Sequence, residues 1–358
     1  MTRFIIRRLL YSIPVLLGIV FLVFVLARVI PGDPCTATYG EKATPEVCAA
    51  FEVRYGLDKP IWEQFLIYLG ALLQGDLGSS IRYGRPVTDI LLERLPVTVE
   101  LTVVALAFAT VFGVTLGLLS ATRRNSSVDV GTMVVANLGV STPVFVLGLF
   151  LAFVFAVLLK DTPFALPPSG RISPGVTIES LAVVWGLEWL TGPPRAMLDF
   201  VSNLYIFNTL VTAQWSDFID VSKHLILPAI AVGTIPLAII ARMTRSSLLE
   251  VLGLDYVRTA RAKGLKEQSV VVRHGMRNAL LPVVTVIGLS LGAFLSGAIL
   301  TETIFNLTGM GKTLFDAISG RDYIVIQGVT LIIAITYLVV NLIVDVSYAF
   351  LDPRIRLG

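Results

Sequence analysis

The sequence predicts an all-α polytopic membrane protein with six transmembrane helices and a small extracytoplasmic helical subdomain. Hydrophobic residues make up 55% of the 358 residues and charged residues only 15%, whereas soluble domains carry roughly 25% charged residues. Six apolar runs are each long enough for a helix to cross a hydrocarbon core about 30 Å thick. This composition excludes a soluble globular enzyme. The net charge of only +3 also excludes a nucleic-acid-binding chain.

The first apolar run, residues 9–30, follows Arg3, Arg7 and Arg8 and would be about 33 Å long as a helix. A signal peptide has a shorter apolar core of about 7 to 15 residues, so we interpret this run as a transmembrane helix. The remaining runs are residues 97–119, 130–159, 225–243, 279–300 and 324–351. Prolines inside or near the start of these runs predict local kinks, at Pro14, Pro143, Pro228, Pro236 and Pro282.

The charges of the loops predict that both termini are cytoplasmic. The loops on one side contain 15 Lys and Arg against five acidic residues, and the opposite loops contain 12 against 18. Basic residues are enriched on the cytoplasmic side of a membrane. The cytoplasmic set is residues 1–8, 122–129, 242–277 and 352–358, and the outer set is residues 31–95, 160–224 and 301–323.

The outer segment at residues 31–95 is long enough for a small subdomain between the first span, in residues 1–30, and the rest of the chain. Thr44 as N-cap, Pro45 at the first helical position and Gly56 after the last turn predict one short helix. Residues 62–73 predict a second helix.

Cys35 and Cys48 lie in this outer segment with twelve residues between them. On the oxidising side of a bacterial membrane they predict a disulfide, which contributes up to about 3 kcal/mol. Two small buried thiols are the alternative. Two cysteines and two histidines are too few for a structural metal cluster.

The transmembrane core, residues 96–358, contains an outer insertion at residues 160–224 and a basic loop at residues 244–278. Within the insertion, residues 181–190 and 196–211 are apolar in patches that polar residues interrupt. We interpret these patches as helices on the outer face or in an external cap. Two additional spans here would preserve the direction of the chain, so a protein with eight spans is the alternative.

Motifs of catalytic sites are missing, with one partial match. Residues 309–313 (GMGKT) resemble the end of a phosphate-binding loop, but Asn306 occupies the position of its first glycine. The run follows no predicted strand and lies on the outer side, so we interpret it as an external turn. We expect the chain to have no catalytic residue, no metal site and no cofactor of its own.

Ionisable residues within the spans are Arg28, Glu100 and Asp345, and each lies near a span end. Such side chains can reach the interface at little cost. Glu100 and Asp345 nevertheless remain candidates for a group that couples transport to an ion gradient.

Small residues repeat every fourth position in two spans and allow close helix packing. For Gly113 and Gly117 we favour ordinary packing inside the bundle. For Gly288, Gly292 and Ser296, either packing or a subunit interface or pathway wall explains the pattern.

The basic loop at residues 244–278 carries the strongest functional signal. Asp255 can cap a short helix, residues 256–263 supply about two turns, and Gly264 can end it in the left-handed conformation. The alanines leave room for a groove on a partner, and the cations offer charge-assisted contacts. A loop that only follows the positive-inside rule is the alternative. The candidate residues are Asp255, Tyr256, Arg258, Thr259, Ala260, Arg261, Ala262, Lys263 and Gly264.

Residues 255–265 (DYVRTARAKGL), with Arg273-His274 and residues 277–282 (RNALLP), resemble the cytoplasmic signature of permease subunits of binding-protein-dependent ABC importers. The resemblance is to their dipeptide, oligopeptide and nickel branch. The general signature begins Glu-Ala-Ala. In this chain Arg258, Thr259 and Ala260 occupy those three positions, so only the last alanine is kept. Segments similar to the first of the two permeases are residues 31–34, 55–60, 75–78, 302–311, 321–323 and 351–354. Residues 174–223 are longer than this family predicts.

The resemblance implies a multi-pass subunit of a bacterial or archaeal cytoplasmic membrane that works with several partners. A homologous second permease would share the pathway, and two ATPase subunits would bind ATP and Mg²⁺ and move the short cytoplasmic helices. An external solute-binding protein would deliver the substrate onto residues 31–95 and 301–323. Peptides are the default substrate, although the branch also includes importers of nickel, glutathione and sugars.

Two other classes of function remain as alternatives. An ion-coupled secondary transporter would need no ATPase and would use Glu100 or Asp345 as its coupling group. A receptor or assembly scaffold would bind partners without moving substrate.

Overall fold

The computed structural model describes residues 2–29, 32–295 and 298–351. Within these ranges the chain is built from helices, and the one β-type pairing is an isolated bridge between Ser79 and Pro86. Two π-helical turns, Val154–Leu158 and Val270–Met276, adjoin longer helices. The helices are α1 (Thr2–Val29), α2 (Pro34–Tyr39), α3 (Pro45–Tyr55), α4 (Ile61–Leu73), α5 (Val87–Thr122), α6 (Ser127–Ser141), α7 (Val144–Phe153), α8 (Leu181–Val184), α9 (Pro193–Ser202), α10 (Tyr205–Val211), α11 (Trp215–Leu252), α12 (Asp255–Ala262), α13 (Glu267–Ser269), α14 (Arg277–Leu295), α15 (Ile299–Ile304), α16 (Met310–Ser319) and α17 (Tyr323–Leu351).

The number of long apolar helices agrees with the predicted six spans. Among the described residues, five helices are long and apolar enough to cross a membrane, and the bent pair α6–α7 makes a sixth crossing if it is counted as one. Residues 160–214, all of which the structure describes, contain only α8, α9 and α10. None of these three helices exceeds ten residues, which contradicts the eight-span alternative.

Helices α5 and α11 form the centre of the bundle, and glycines allow their backbones to approach closely. A Cβ atom on Gly113 would lie 2.8 Å from the carbonyl oxygen of Leu237, and one on Gly117 would lie 2.6 Å from that of Ala241. Any larger side chain would force the two helices apart. The interpretation of Gly113 and Gly117 as packing residues inside the bundle is therefore confirmed.

The third predicted span, residues 130–159, is wrong as a continuous helix. Helices α6 and α7 meet at an angle of 104°. Thr142 has an extended backbone, with φ −90° and ψ 124°, and Pro143 follows it. A proline disfavours the helical conformation of the residue before it and has no N–H to donate, so the helix ends there.

The fifth span is interrupted before its predicted end at residue 300, because Ala298 is not helical and α15 begins a separate helix at Ile299. The small residues of α14 pack against α17 in the same chain. A Cβ atom on Gly288 would lie 2.7 Å from Val344, and one on Gly292 would lie 3.1 Å from Tyr337. Both glycines thus serve helix packing, whereas Ser296 lies outside the described residues.

The outer segment contains the first helix that the sequence predicts. Thr44 accepts a hydrogen bond from the backbone N–H of Val47, and Gly56 ends α3 in the left-handed conformation with φ +65°. Cys35 and Cys48 are joined by a disulfide, and this bond fastens α2 to α3.

Candidate functional site

Helix α12 begins one residue earlier than predicted, and Asp255 is not its cap. The N-cap position is Leu254, whose backbone is extended, and it makes no side-chain capping bond. The carboxylate of Asp255 instead lies 3.4 Å from the guanidinium of Arg258, one turn further along the helix. Both side chains are largely exposed, so this ion pair contributes little to stability.

The end of α12 is a Schellman motif, in which a left-handed glycine reverses the chain. Gly264 has φ +74°, and its N–H donates to the carbonyl of Arg261 at 2.9 Å. The N–H of Leu265 donates to the carbonyl of Ala260 at 3.4 Å. These two bonds satisfy carbonyls that a helix end leaves unpaired. The predicted left-handed ending at Gly264 is confirmed.

One face of α12 packs on the protein's own core, which corrects the prediction for Ala260. Val257 is fully buried and Ala260 is 6% exposed. Both belong to a hydrophobic cluster with Leu248 of α11 and Val270 of the following turn. Because Ala260 points into this cluster, it cannot leave room for a groove on a partner. The other predicted alanine, Ala262, is exposed.

The opposite face of α12 is exposed and cationic, and we call it the coupling surface after the role proposed for it below. Arg261 on this surface is bound by the carboxylate of Glu267 through two hydrogen bonds of 2.7 and 3.1 Å. These bonds raise the pKa of the Arg261 guanidinium, so it stays charged. The exposed residues of the coupling surface are Asp255, Tyr256, Arg258, Thr259, Arg261, Ala262, Lys263 and Gly264.

A tyrosine ties α12 to the start of the next span. The hydroxyl of Tyr256 donates to the carbonyl of His274 at 3.1 Å and accepts from the side-chain amide of Asn278 at 2.7 Å. His274 and Asn278 belong to the segments that resemble the family signature, but the sequence did not predict their contact with Tyr256, which lies 18 and 22 residues away. These two hydrogen bonds connect α12 directly to the beginning of α14.

A second link, which the sequence analysis missed, joins three helices near the same end of the bundle. Asp129 of α6 accepts hydrogen bonds of 2.8 and 2.9 Å from the guanidinium of Arg245 on α11. The same carboxylate accepts from Ser120 of α5 and from the backbone N–H of Asn125. A separation of 116 residues between Asp129 and Arg245 left no local sequence signal for this pair.

Residues 309–313 resemble part of a phosphate-binding loop, but backbone N–H groups of this segment already donate hydrogen bonds to side chains of the protein. Thr98 accepts the N–H of Met310 at 2.8 Å, and Glu302 accepts the N–H of Lys312 at 2.8 Å. Thr98 also donates to Glu302 at 2.7 Å. Burial raises the pKa of the Glu302 carboxyl, and the hydrogen bonds donated to it act in the opposite direction. Donors that a phosphate would need are thus used to hold α16 in place.

The two candidate ion-coupling carboxylates are both paired with arginines. Glu100 lies 2.7 Å from Arg171 and also accepts the backbone N–H of Ile206, so it fastens the outer insertion to α5. Asp345 pairs with Arg8, which joins the ends of α17 and α1. Each carboxylate therefore holds two parts of the fold together.

Two family models match this chain. The model described as binding-protein-dependent transport system inner membrane component matches residues 113–357. The model of the N-terminal region of such membrane components matches residues 1–102. The chain belongs to this family. Its membership and the predicted all-α membrane fold are thereby confirmed, and we call the chain the permease from here on.

Curated relatives of the permease match it over almost their whole length. It is 45% identical to the dipeptide transport system permease protein DppB of Escherichia coli (strain K12), covering 99% of each chain. It is 43% identical to the protein of the same name from Alkalihalophilus pseudofirmus, covering 99% of this chain and 100% of that one. The oligopeptide transport system permease protein AppB of Bacillus subtilis (strain 168) is 39% identical, with coverage of 99% and 100%. The permease is thus a multi-pass transport subunit of a system with several components.

A cleft of about 680 Å³ in the permease lies between α7, α11, α14 and α15. The described residues that line it include no charged side chain, and the polar side chains among them are Ser290 and Thr301. This cleft could not be predicted from the sequence, because the residues that line it are spread over the chain between Val144 and Thr301. The apolar residues that line it include Val232, Ile235, Pro236, Val286, Leu289 and Phe294.

Proposed function

We propose that the permease forms half of the translocation pathway of an ATP-driven importer of di- or oligopeptides. In this proposal α12 is the element on which separate ATPase subunits act. The observation that carries it is the two-sided character of α12, with a cationic exposed face and a buried face packed on α11 and α14. The relatives are named as permease proteins of dipeptide or oligopeptide transport systems, which supports peptides as the substrate class.

The proposed mechanism is mechanical. ATP and Mg²⁺ bind to the ATPase subunits, and closure of those subunits displaces α12 in the cytoplasm. The buried Val257 and the hydrogen bonds of Tyr256 pass this displacement to α11 and α14, which form two walls of the cleft. A homologous second permease completes the pathway, and its opening alternates between the two sides of the membrane.

The remaining parts of the proposal concern the outer side. Residues 31–95 and 301–323 form the surface onto which an external binding protein releases the substrate. The charge of the loops supports this orientation, with both termini in the cytoplasm. The backbone N–H groups of Met310 and Lys312 already donate to Thr98 and Glu302, which supports the proposal that this subunit binds no nucleotide itself.

Replacing Gly264 with valine is expected to reduce peptide uptake about tenfold while the partner ATPase remains active. A Cβ atom at this position meets nothing within 4 Å, so the change acts through the backbone alone. A left-handed conformation costs an ordinary L-residue roughly 1 to 2 kcal/mol. Uptake and ATP hydrolysis would be measured in proteoliposomes that contain the complete complex.

The matched control is Gly264→Asn, because asparagine adopts the left-handed conformation far more readily than valine. We expect this variant to retain most of the uptake. Equal uptake by both variants would show that the geometry of this turn does not govern coupling, and it would remove the central support of the proposal.

Glu100→Gln and Asp345→Asn separate the importer from an ion-coupled transporter. Neither variant keeps a carboxylate that could bind a proton or cation, but each amide retains an acceptor oxygen for its present partners. We expect ATP-dependent uptake to stay within about threefold of the unmodified permease. The Asp345–Arg8 pair is partly exposed and contributes little. Glu100 is buried, but a glutamine there still offers an acceptor oxygen to Arg171 and to the N–H of Ile206. Loss of transport in either variant, with the complex still assembled, would favour the ion-coupled transporter.

A further inference from the structure

Helix α4 is apolar on all sides, yet the fold leaves much of it uncovered. From Phe65 to Leu73 it contains no charged or amide side chain. Trp62 is 67% exposed, Leu66 59% and Leu73 82%, and no residue of α4 is buried. A helix that is hydrophobic all round requires an apolar environment, and the described part of the chain supplies it on one side only.

The contacts of α4 place it beside the last third of α1. The ring of Phe65 lies 5.3 Å from that of Phe21 and 5.1 Å from that of Phe24, and the ring of Tyr68 lies 5.9 Å from that of Phe24. At 1.5 Å per residue, Phe24 and Phe21 are about 8 and 12 Å from the Val29 end of α1. Because α1 is a membrane span, this part of α4 lies at the depth of the hydrocarbon.

Apart from the hydroxyl of Tyr68, the polar side-chain groups of α4 are confined to its first turn, where the headgroups would be. Gln64 accepts a hydrogen bond of 2.7 Å from Arg28, the penultimate residue of α1. Glu63 pairs with Lys59 at 3.0 Å, just before the helix. Trp62 stands in the same turn, and tryptophan is enriched at the membrane–water interface. The apolar stretch of α4 is therefore flanked by polar residues on both sides, since the exposed Gln74 and Asp76 follow its last residue.

We propose that α4 is inserted into the membrane leaflet at the Val29 end of α1, with lipid acyl chains covering Leu66 and Leu73 and with Trp62 at the membrane–water interface. Lipid, rather than another protein, is the occupant because the exposed face of α4 continues the exposed apolar surface of α1. That surface includes Phe21 and Leu22 at the same depth. The inserted helix anchors the disulfide-linked segment, α2 and α3, to the bilayer. This inference rests on the assignment of α1 as a span and is independent of the transport mechanism.

Nitroxide spin labels on single cysteines test the proposal in the complete complex in lipid vesicles, with the partner subunits free of reactive cysteines. The labels are placed at Leu66→Cys and Leu73→Cys. The native cysteines form a disulfide and are not labelled. The matched control is Val53→Cys on α3, since Val53 is 67% exposed in the outer segment.

We expect the ratio of collision rates with oxygen and with a water-soluble nickel chelate to be about tenfold higher at positions 66 and 73 than at position 53, because the chelate is excluded from hydrocarbon. Collision with the chelate at the rate found for position 53 would overturn the proposal in favour of a water-exposed helix. Low collision rates with both reagents would overturn it in favour of a protein partner.

Discussion

Peptide uptake will be lost when Ala260 is replaced by glutamate. The side chain of Ala260 points into the hydrophobic cluster beneath α12, where only 6% of it is exposed. Burying an unpaired carboxylate costs several kcal/mol, so α12 will be displaced from its position on α11 and α14. If α12 transmits the movement of the ATPase subunits, this displacement disconnects them from the pathway while the spans still insert.

The matched control for this prediction is Gln268→Glu, which places the same side chain on an exposed position of the same loop, outside the coupling surface. Trypsin cleavage after Arg258 and Arg261 reports whether α12 keeps its position. We expect cleavage to be much faster in Ala260→Glu than in Gln268→Glu, and uptake to fall at least tenfold further. Normal uptake by Ala260→Glu would contradict the assignment of α12 as the coupling element.

The spans were predictable from the sequence because crossing a bilayer depends on two properties that a linear sequence contains, length and apolarity. The left-handed ending at Gly264 was predictable for a similar reason, since it depends on local backbone preference. The right-angled bend at Pro143 was predicted only as a kink. Its size of 104° depends on how α6 and α7 pack against the other helices.

The buried position of Ala260 was predictable from the helical periodicity of the sequence. Val257 and Ala260 are three residues apart, and residues at this spacing share one face of a helix. An apolar side chain beside a small one on the same face indicates packing against the protein itself. The exposed cations at Arg258 and Arg261 lie on the other side. Helical periodicity would thus have separated the buried face from the coupling surface.

The hydrogen bonds and ion pairs between segments distant in the chain could not be predicted from the sequence. Glu302 and Thr98 are 204 residues apart, and Glu100 and Arg171 are 71 apart. Acidic residues at the edges of spans are common, and nothing local distinguishes a carboxylate that holds two elements together from one that snorkels to water. Only the arrangement of the helices shows which of them has an internal partner.

Replacing Glu302 with alanine is expected to be the most destabilising change on the outer side. The carboxylate is fully buried and accepts hydrogen bonds from Thr98 and from the backbone N–H groups of Gly311 and Lys312. Alanine would leave these donors buried without an acceptor, at about 1 to 3 kcal/mol for each. The melting temperature of the purified complex, and the fraction that stays monodisperse on heating, would fall accordingly.

Two further variants show whether the lost hydrogen bonds cause this effect. Glu302→Gln keeps an acceptor oxygen and removes the need to bury a charge, so its melting temperature should stay close to that of the unmodified permease. Asp316→Ala removes a carboxylate from α16, the helix whose first turn Glu302 holds, but this carboxylate pairs with Lys312 near the surface, so its loss costs less than about 1 kcal/mol. Equal melting temperatures for Glu302→Ala and Asp316→Ala would contradict the prediction. We expect Glu302→Ala to have the lower melting temperature because its donors are buried, whereas a donor that water can reach loses little when its partner is removed.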